Sequence, residues 1–457
     1  TAHGDEERDA IGPSLHRTMV REVTAMGLPS IASFMLLTLY DLIDIFWLAK
    51  LGPEPVAAVT IFAALLWVVS FPNGIIGTGS VSMISRRFGE GDIERTEIVI
   101  KNTFAGKFAI GILFGALGWV ICPAALELMG AEPVVRELGV AYGRIQFTVL
   151  GASLASFSVY TAFRGIGRPQ YGMWVSVAGA AVNLVLDPLL IFGVGPFPRL
   201  GVVGASLASA AGFLTVTLWG MVALASPGSP VRVRWFSAPG VSLAGIGRMV
   251  RIGLPSGIAS LSFSLFSSVM VKLVAIYGTE VVALFGMSRK ILQIGHMVVA
   301  GLGLGSSALV GQHLGARRLT RAWVTAMVTI QLASAALAGF ALAVFLLAGP
   351  LVRFFFDDPA LVEPGVTYLR LLALGLPFVG VWAGSEQAYT GAGRTVPPMI
   401  AQAVTAWGLT VPLMWTLGEA AGLGPAGMMI GVATGQMLGA VLGLGMVRRG
   451  TWLLHEV

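Results

Sequence analysis

Twelve apolar runs occupy this chain from residue 22 to residue 447, separated by charged or Pro/Gly-rich breaks. They lie at 22–49, 56–82, 99–123, 138–163, 170–193, 202–225, 249–276, 282–309, 322–349, 365–391, 395–418 and 424–447. A helix needs roughly 20 apolar residues to cross the hydrocarbon core, and each run is at least that long. Of the 457 residues, 56% are apolar and 11% charged. A soluble domain carries about 25% charged residues. Soluble enzymes, nucleic-acid readers and disordered scaffolds are thereby excluded. The expected fold is an all-α polytopic membrane protein of twelve transmembrane helices.

The longest polar connector, Ser226 to Gly247, divides the spans into two groups of six. The expected organisation is an N-terminal cytoplasmic segment (1–21), a first lobe (22–225), a cytoplasmic connector (226–247), a second lobe (248–447) and a cytoplasmic tail (448–457). Net charge is +6, and nineteen of the 29 Lys and Arg residues collect on one face. Among them are Arg8, Arg86, Arg164, Arg232, Arg317, Arg394 and Arg448. Only Lys50, Arg136, Arg199 and Arg353 fall on the other, with acids such as Glu54 and Asp357. The positive-inside rule then puts both termini in the cytoplasm of a multi-pass plasma (inner) membrane protein. The first thirteen residues lack the basic segment and apolar core of a cleavable signal peptide. The single cysteine, Cys122, permits neither a disulfide nor a Cys-based metal site.

The two halves repeat. Gly27-Leu28-Pro29-Ser30 recurs as Gly253-Leu254-Pro255-Ser256, an offset of 226. The same offset maps Gly52 onto Gly278, Gly77 onto Gly303, and Gly165-Ile166-Gly167-Arg168 onto Gly391-Ala392-Gly393-Arg394. Six helices per half keep both repeats in one orientation, as in parallel-repeat transporters. Two pseudo-symmetric six-helix lobes would enclose a cleft and rock to give alternating access.

The repeat also shows where symmetry breaks. Asp41 maps to Ser267, Asn183 to Leu409 and Asp187 to Leu413. A charged Asp at mid-bilayer costs about 2.5–3.5 kcal/mol, and packing alone does not demand one. Asp41 lies nine residues before Lys50, and Asp187 six before Gly193, both in the outer half of the membrane. Asn183 and Asp187, four apart, share a helix face. Ser209 lies at a similar depth. Together these oxygens could hold a proton or coordinate a small hard cation such as sodium. The alternative is that they hydrogen-bond helices together. Asp44, nearer the outer interface, stands equally between solvation and function.

In the second lobe, Glu386 and Gln387 are candidate substrate contacts. Glu386 could instead pair with Lys272, Arg289 or Lys290. Lys107 and Arg144, near helix ends, are expected to snorkel. Gly427, Gly431, Gly435, Gly439 and Gly443 recur every fourth residue, a stripe that allows close helix approach. Pro29 is a candidate hinge in the first span. The chain lacks a Walker A loop, HExxH and GxSxG. Bound ATP and intramembrane hydrolysis are therefore unsupported, and secondary transport remains.

These features together resemble the MATE (multidrug and toxic compound extrusion) family. The matching stretches are Leu51-Gly52 with Ala57-Ala58, Arg164-Gly165-Ile166-Gly167-Arg168-Pro169, and Asn183 with Asp187-Pro188. Gly201 to Ser209, and Gly311-Gln312 with Gly315, continue the match. The resemblance implies export of cationic amphipathic compounds, driven by inward proton or sodium flow, with no other cofactor and no enzymatic activity. The carboxylates look like those of the DinF-like branch. On that similarity Asp41, Asn183 and Asp187 form the cation site, Ser209 supplies a hydroxyl where the family more often has Thr, and Pro29 is the bend. Members with carboxylates in the seventh and tenth spans differ from this chain, which has only Glu386 there.

The expected protein is a monomeric secondary multidrug exporter in the bilayer, without nucleic-acid partners. The alternatives are a lipid or lipid-linked oligosaccharide flippase of related fold and a non-transporting scaffold. Lys272, Arg289 and Lys290 suit the flippase, while buried asymmetric acids argue against both.

Overall fold

The computed structural model describes residues 13–69, 71–237 and 240–454. The acidic N-terminal stretch with Arg8, and the last three residues of the tail, lie outside the described residues. Among those described, the regular elements are all helices. In chain order they are α1 (Pro13–Ala49), α2 (Pro53–Val69), α3 (Phe71–Gly89), α4 (Ile93–Leu128), α5 (Pro133–Thr148), α6 (Leu150–Gly165), α7 (Pro169–Phe192) and α8 (Val202–Ala225). After the connector come α9 (Leu243–Val274), α10 (Thr279–Gly315), α11 (Leu319–Arg353), α12 (Pro359–Ala373), α13 (Leu376–Gly391), α14 (Val396–Ala403), α15 (Val411–Trp415) and α16 (Gly424–Arg448). Among the described residues, ten segments are long and apolar enough to cross a membrane singly, and two bent pairs, each taken as one span, bring the number to twelve. The twelve-span expectation holds.

Local sequence explains the breaks. Proline occupies the first turn of α5, α7 and α12, where its missing N–H is no loss. Asp92 caps α4 by accepting from Arg95 N at 2.9 Å. The pair α2 and α3 bends by 51° just before Pro72, and α5 and α6 bend by 56° at Val149. Between α14 and α15 the chain forms a π-helix, Val404–Thr410. Pro412 has no N–H for the Gly408 carbonyl, so the preceding turns widen.

The chain forms two compact units. One comprises Ala32–Leu254. Its core gathers Leu48, Phe62, Cys122, Leu126 and Phe147, with the Phe62 ring meeting Tyr142 and Phe147 edge-on at 5.3 and 5.2 Å. The first turns of α9 lie tightly on α3. A Cβ at Gly253 would overlap the Ile75 carbonyl, and one at Gly79 the Met249 carbonyl. The connector is pinned to α4 by buried Glu97, which pairs with Lys101 at 2.9 Å and Arg234 at 3.1 Å. That carboxylate holds the Arg234 guanidinium above its ordinary range. Asn102 Oδ1 also accepts from Ser242 N at 2.8 Å.

The other unit contains the chain up to Ile31 and from Pro255 onward. Here the first half of α1 lies against α10. A Cβ at Gly301 would sit 2.7 Å from Ile31 Cα, and one at Gly27 2.6 Å from Leu302 Cδ1. The glycine stripe of α16 serves packing, because a Cβ at Gly431 would come 2.6 Å from Met414 N. Both changes of unit fall beside a proline, two residues after Pro29 and immediately before Pro255.

Candidate cation-coupling site

The intramembrane acids of the first unit come from α1 and α7, with a hydroxyl from α8. Asp44, Asn183, Asp187 and Ser209 are all buried. Ser209 Oγ donates to Asp44 Oδ2 at 3.1 Å, and Asn183 Nδ2 donates to Asp187 Oδ1 at 3.4 Å. The Asp44 carboxyl neighbours that of Asp187 and the Asn183 amide. Asp44 Oδ1 and Asp187 Oδ2 are buried without a hydrogen-bond donor among the described residues. Two facing carboxylates thus have more acceptor oxygens than donors, which a proton or a small cation would balance.

Asp41, the α1 carboxylate expected here, is exposed; it lies close enough to Asp44 and Tyr142 to interact through its charge, but the hydrogen bonds of the cluster run through Asp44 instead. Three residues on, Asp44 is turned through a net 60° and displaced by about 4.5 Å along the axis. It shares the buried stripe of Leu48, one turn further along. Tyr40, one turn before Asp44, and Tyr142 of α5 border the same carboxylates. The spacing of Tyr40 from Asp44 was a readable signal, whereas nothing in the sequence singled out Tyr142. Pro29 is buried, and α1 runs unbroken through it.

The polar groups of the second lobe are arranged differently. Glu386, Arg289 and Lys290 line one cavity, whereas Lys272 and Gln387 do not. Gln387 packs on α10, where a Cβ at Gly303 would approach its Cγ to 2.7 Å. Among the described residues Glu386 forms no ion pair with either cation. Arg144 lies over the Trp119 ring at 4.5 Å. Lys107, expected to snorkel, is 2% exposed instead, because α4 carries it inside the helix bundle. A group of three or more His, Cys, Asp or Glu side chains able to hold a metal is absent among the described residues. Sodium at the α1/α7 cluster would therefore rest on two carboxylates plus neutral oxygens.

The model of the MatE family matches this chain twice, over residues 29–189 and 255–416. The chain belongs to the MatE family. The two matches begin 226 residues apart, the offset of the internal repeat. A probable multidrug resistance protein NorM from Deinococcus radiodurans is 27% identical over 88% of each chain. A protein named FAD transporter, from Shewanella oneidensis, is 27% identical over 81% of this chain and 82% of its own length. The Vibrio cholerae MATE transporter VcmN, in its bent form, superposes with TM-score 0.88 at 18% identity, covering 96% of this chain and 98% of that one. MatE proteins are multi-pass membrane transporters of the multidrug efflux class, not enzymes.

Proposed function

We propose that this MatE protein is a secondary active exporter that couples inward proton or sodium flow to efflux of cationic amphipathic compounds by alternating access. Asp44, Asn183, Asp187 and Ser209 hold the coupling ion in this reading. The observation that carries it is the buried Asp44–Asp187 pair with one donor-less oxygen on each side. A proton would sit between the carboxyls. Sodium, a hard cation, would take the same oxygens, so the two ions would compete. Cationic cargo is favoured by the three carboxylates that α1 and α7 bring to one unit.

A bound ion shifts a conformational equilibrium only by its differential affinity for the two states. Filling the carboxylate pair removes a buried charge, which gives that differential. Pro29 is the hinge of the proposal, since proline removes a helical hydrogen bond and the change of compact unit falls two residues beyond it. The basic-residue asymmetry places both termini in the cytoplasm, in the plasma (inner) membrane, and the protein works as a monomer. The test is ethidium efflux from proteoliposomes under separately imposed proton and sodium gradients. Efflux driven by at least one gradient is expected, and efflux indifferent to both would contradict the coupling.

A further inference from the structure

The second-unit cavity has a volume of about 810 Å³, and all its lining residues come from Pro255 onward. That volume suits a drug-sized molecule. Its wall carries Arg289 and Lys290 of α10 against a single carboxylate, Glu386 of α13. Arg289 lies in the eleventh position of α10, about 15 Å along the axis, well inside the apolar span. Its guanidinium faces the Phe285 ring at 5.7 Å. No carboxylate lies within 4.0 Å of either cation among the described residues. An intramembrane cation ordinarily pairs within the protein, with substrate, or with water.

The repeat shows that the fold does not require these charges. At the offset of 226, Arg289 and Lys290 correspond to Ala63 and Ala64, and Glu386 to Tyr160. Asp44, conversely, corresponds to Met270, which lines this cavity. One repeat therefore has an acid where the other has a thioether, and alanines where the other has cations. Four aromatic side chains, Phe263, Phe266, Phe285 and Trp382, also line the wall, among aliphatic residues and the polar His296, Gln293 and Gln436. The π-helix Val404–Thr410 contributes Thr405 and Thr410 to the wall. Such irregular turns recur at functional sites.

We infer that the second-unit cavity binds a ring-bearing organic anion, a carboxylate or phosphate, with the anionic group on Arg289 and Lys290 and the ring among the cavity's aromatic side chains. A guanidinium offers paired N–H donors matched to either anion. Glu386 opposes the anion and limits its affinity. This binding is independent of ion coupling at Asp44 and Asp187.

The test is isothermal titration calorimetry on the purified full chain in detergent, without any gradient, so that it reads binding and not coupling. The probes are 1-naphthyl phosphate, uncharged 1-naphthol, the cationic 1-naphthylmethylamine, inorganic phosphate and phosphatidylglycerol. Naphthyl phosphate is expected to bind about tenfold or more tighter than every other probe, a difference of about 1.4 kcal/mol. Arg289→Gln and Lys290→Gln should each weaken it by a similar factor. Arg289→Lys should retain most of the affinity, and Glu386→Gln should tighten it. Should Arg289→Gln fail to fold, Lys290→Gln and Glu386→Gln decide. Equal or better binding of the naphthol or the amine, or affinity unmoved by the cation substitutions, would overturn the assignment. Displacement of the probe by phosphatidylglycerol would overturn it in favour of a lipid headgroup.

Discussion

Ser209 Oγ donates to Asp44 Oδ2 at 3.1 Å, tying α8 to α1 at a point where both side chains are buried. A hydrogen bond to a charged acceptor contributes about 1.5–3 kcal/mol. Ser209→Ala is therefore expected to weaken the coupling ion's apparent affinity about tenfold, equivalent to about 1.4 kcal/mol, while Ser209→Thr retains it. Efflux rate against driving-ion concentration in proteoliposomes distinguishes the two.

The helix pattern was legible because charge is so sparse that each break between spans stands out, and the 226-residue offset was legible because glycine and proline mark backbone positions that must recur. The α1 carboxylate was harder. Asp41 and Asp44 are both in the span, and a 226-residue comparison flags either one. A finer depth comparison separates them: Asp44 is six residues before Lys50, as Asp187 is six before Gly193. Asp41 is nine before Lys50 and ends up exposed. Tyr142 reaches the cluster through tertiary packing, which no local pattern records. The π-helix at Val404–Thr410 was hidden for another reason, since Pro412 signals a disturbance without specifying which form it takes.

Gly253 lies against the α3 backbone, where a Cβ would overlap the Ile75 carbonyl. Gly253→Ala must push α9 away from α3, and overpacking of this kind costs about 1–3 kcal/mol. A lower melting temperature of the purified protein is expected. Gly247→Ala, in the same helix with open space around it, should leave the melting temperature unchanged.

Glu97 is buried between Lys101 and Arg234. Removing one partner of a buried ion pair costs about 3–5 kcal/mol because the other charge remains. Glu97→Ala should destabilise the protein by that order and free the connector to proteolysis. Arg234→Ala should do far less, since the Arg234 side chain is 59% exposed. Limited trypsin digestion with thermal melting reads both effects.

The basic-residue asymmetry predicts that a cysteine replacing Arg448 resists an impermeant maleimide added to intact cells. Cys122 is fully buried and contributes little background. Labelling that appears only after permeabilisation is expected. Labelling of intact cells would reverse the orientation.

Efflux by the wild-type protein and by Asp44→Asn, Asp187→Asn and Asp41→Asn, reconstituted side by side at equal folded protein, tests ion coupling at the buried pair most directly. The Asp44→Asn and Asp187→Asn proteins should fold yet show no gradient-driven efflux above empty vesicles, while Asp41→Asn retains most of it. Full gradient-driven efflux by Asp44→Asn, or a loss confined to Asp41→Asn, would contradict the assignment.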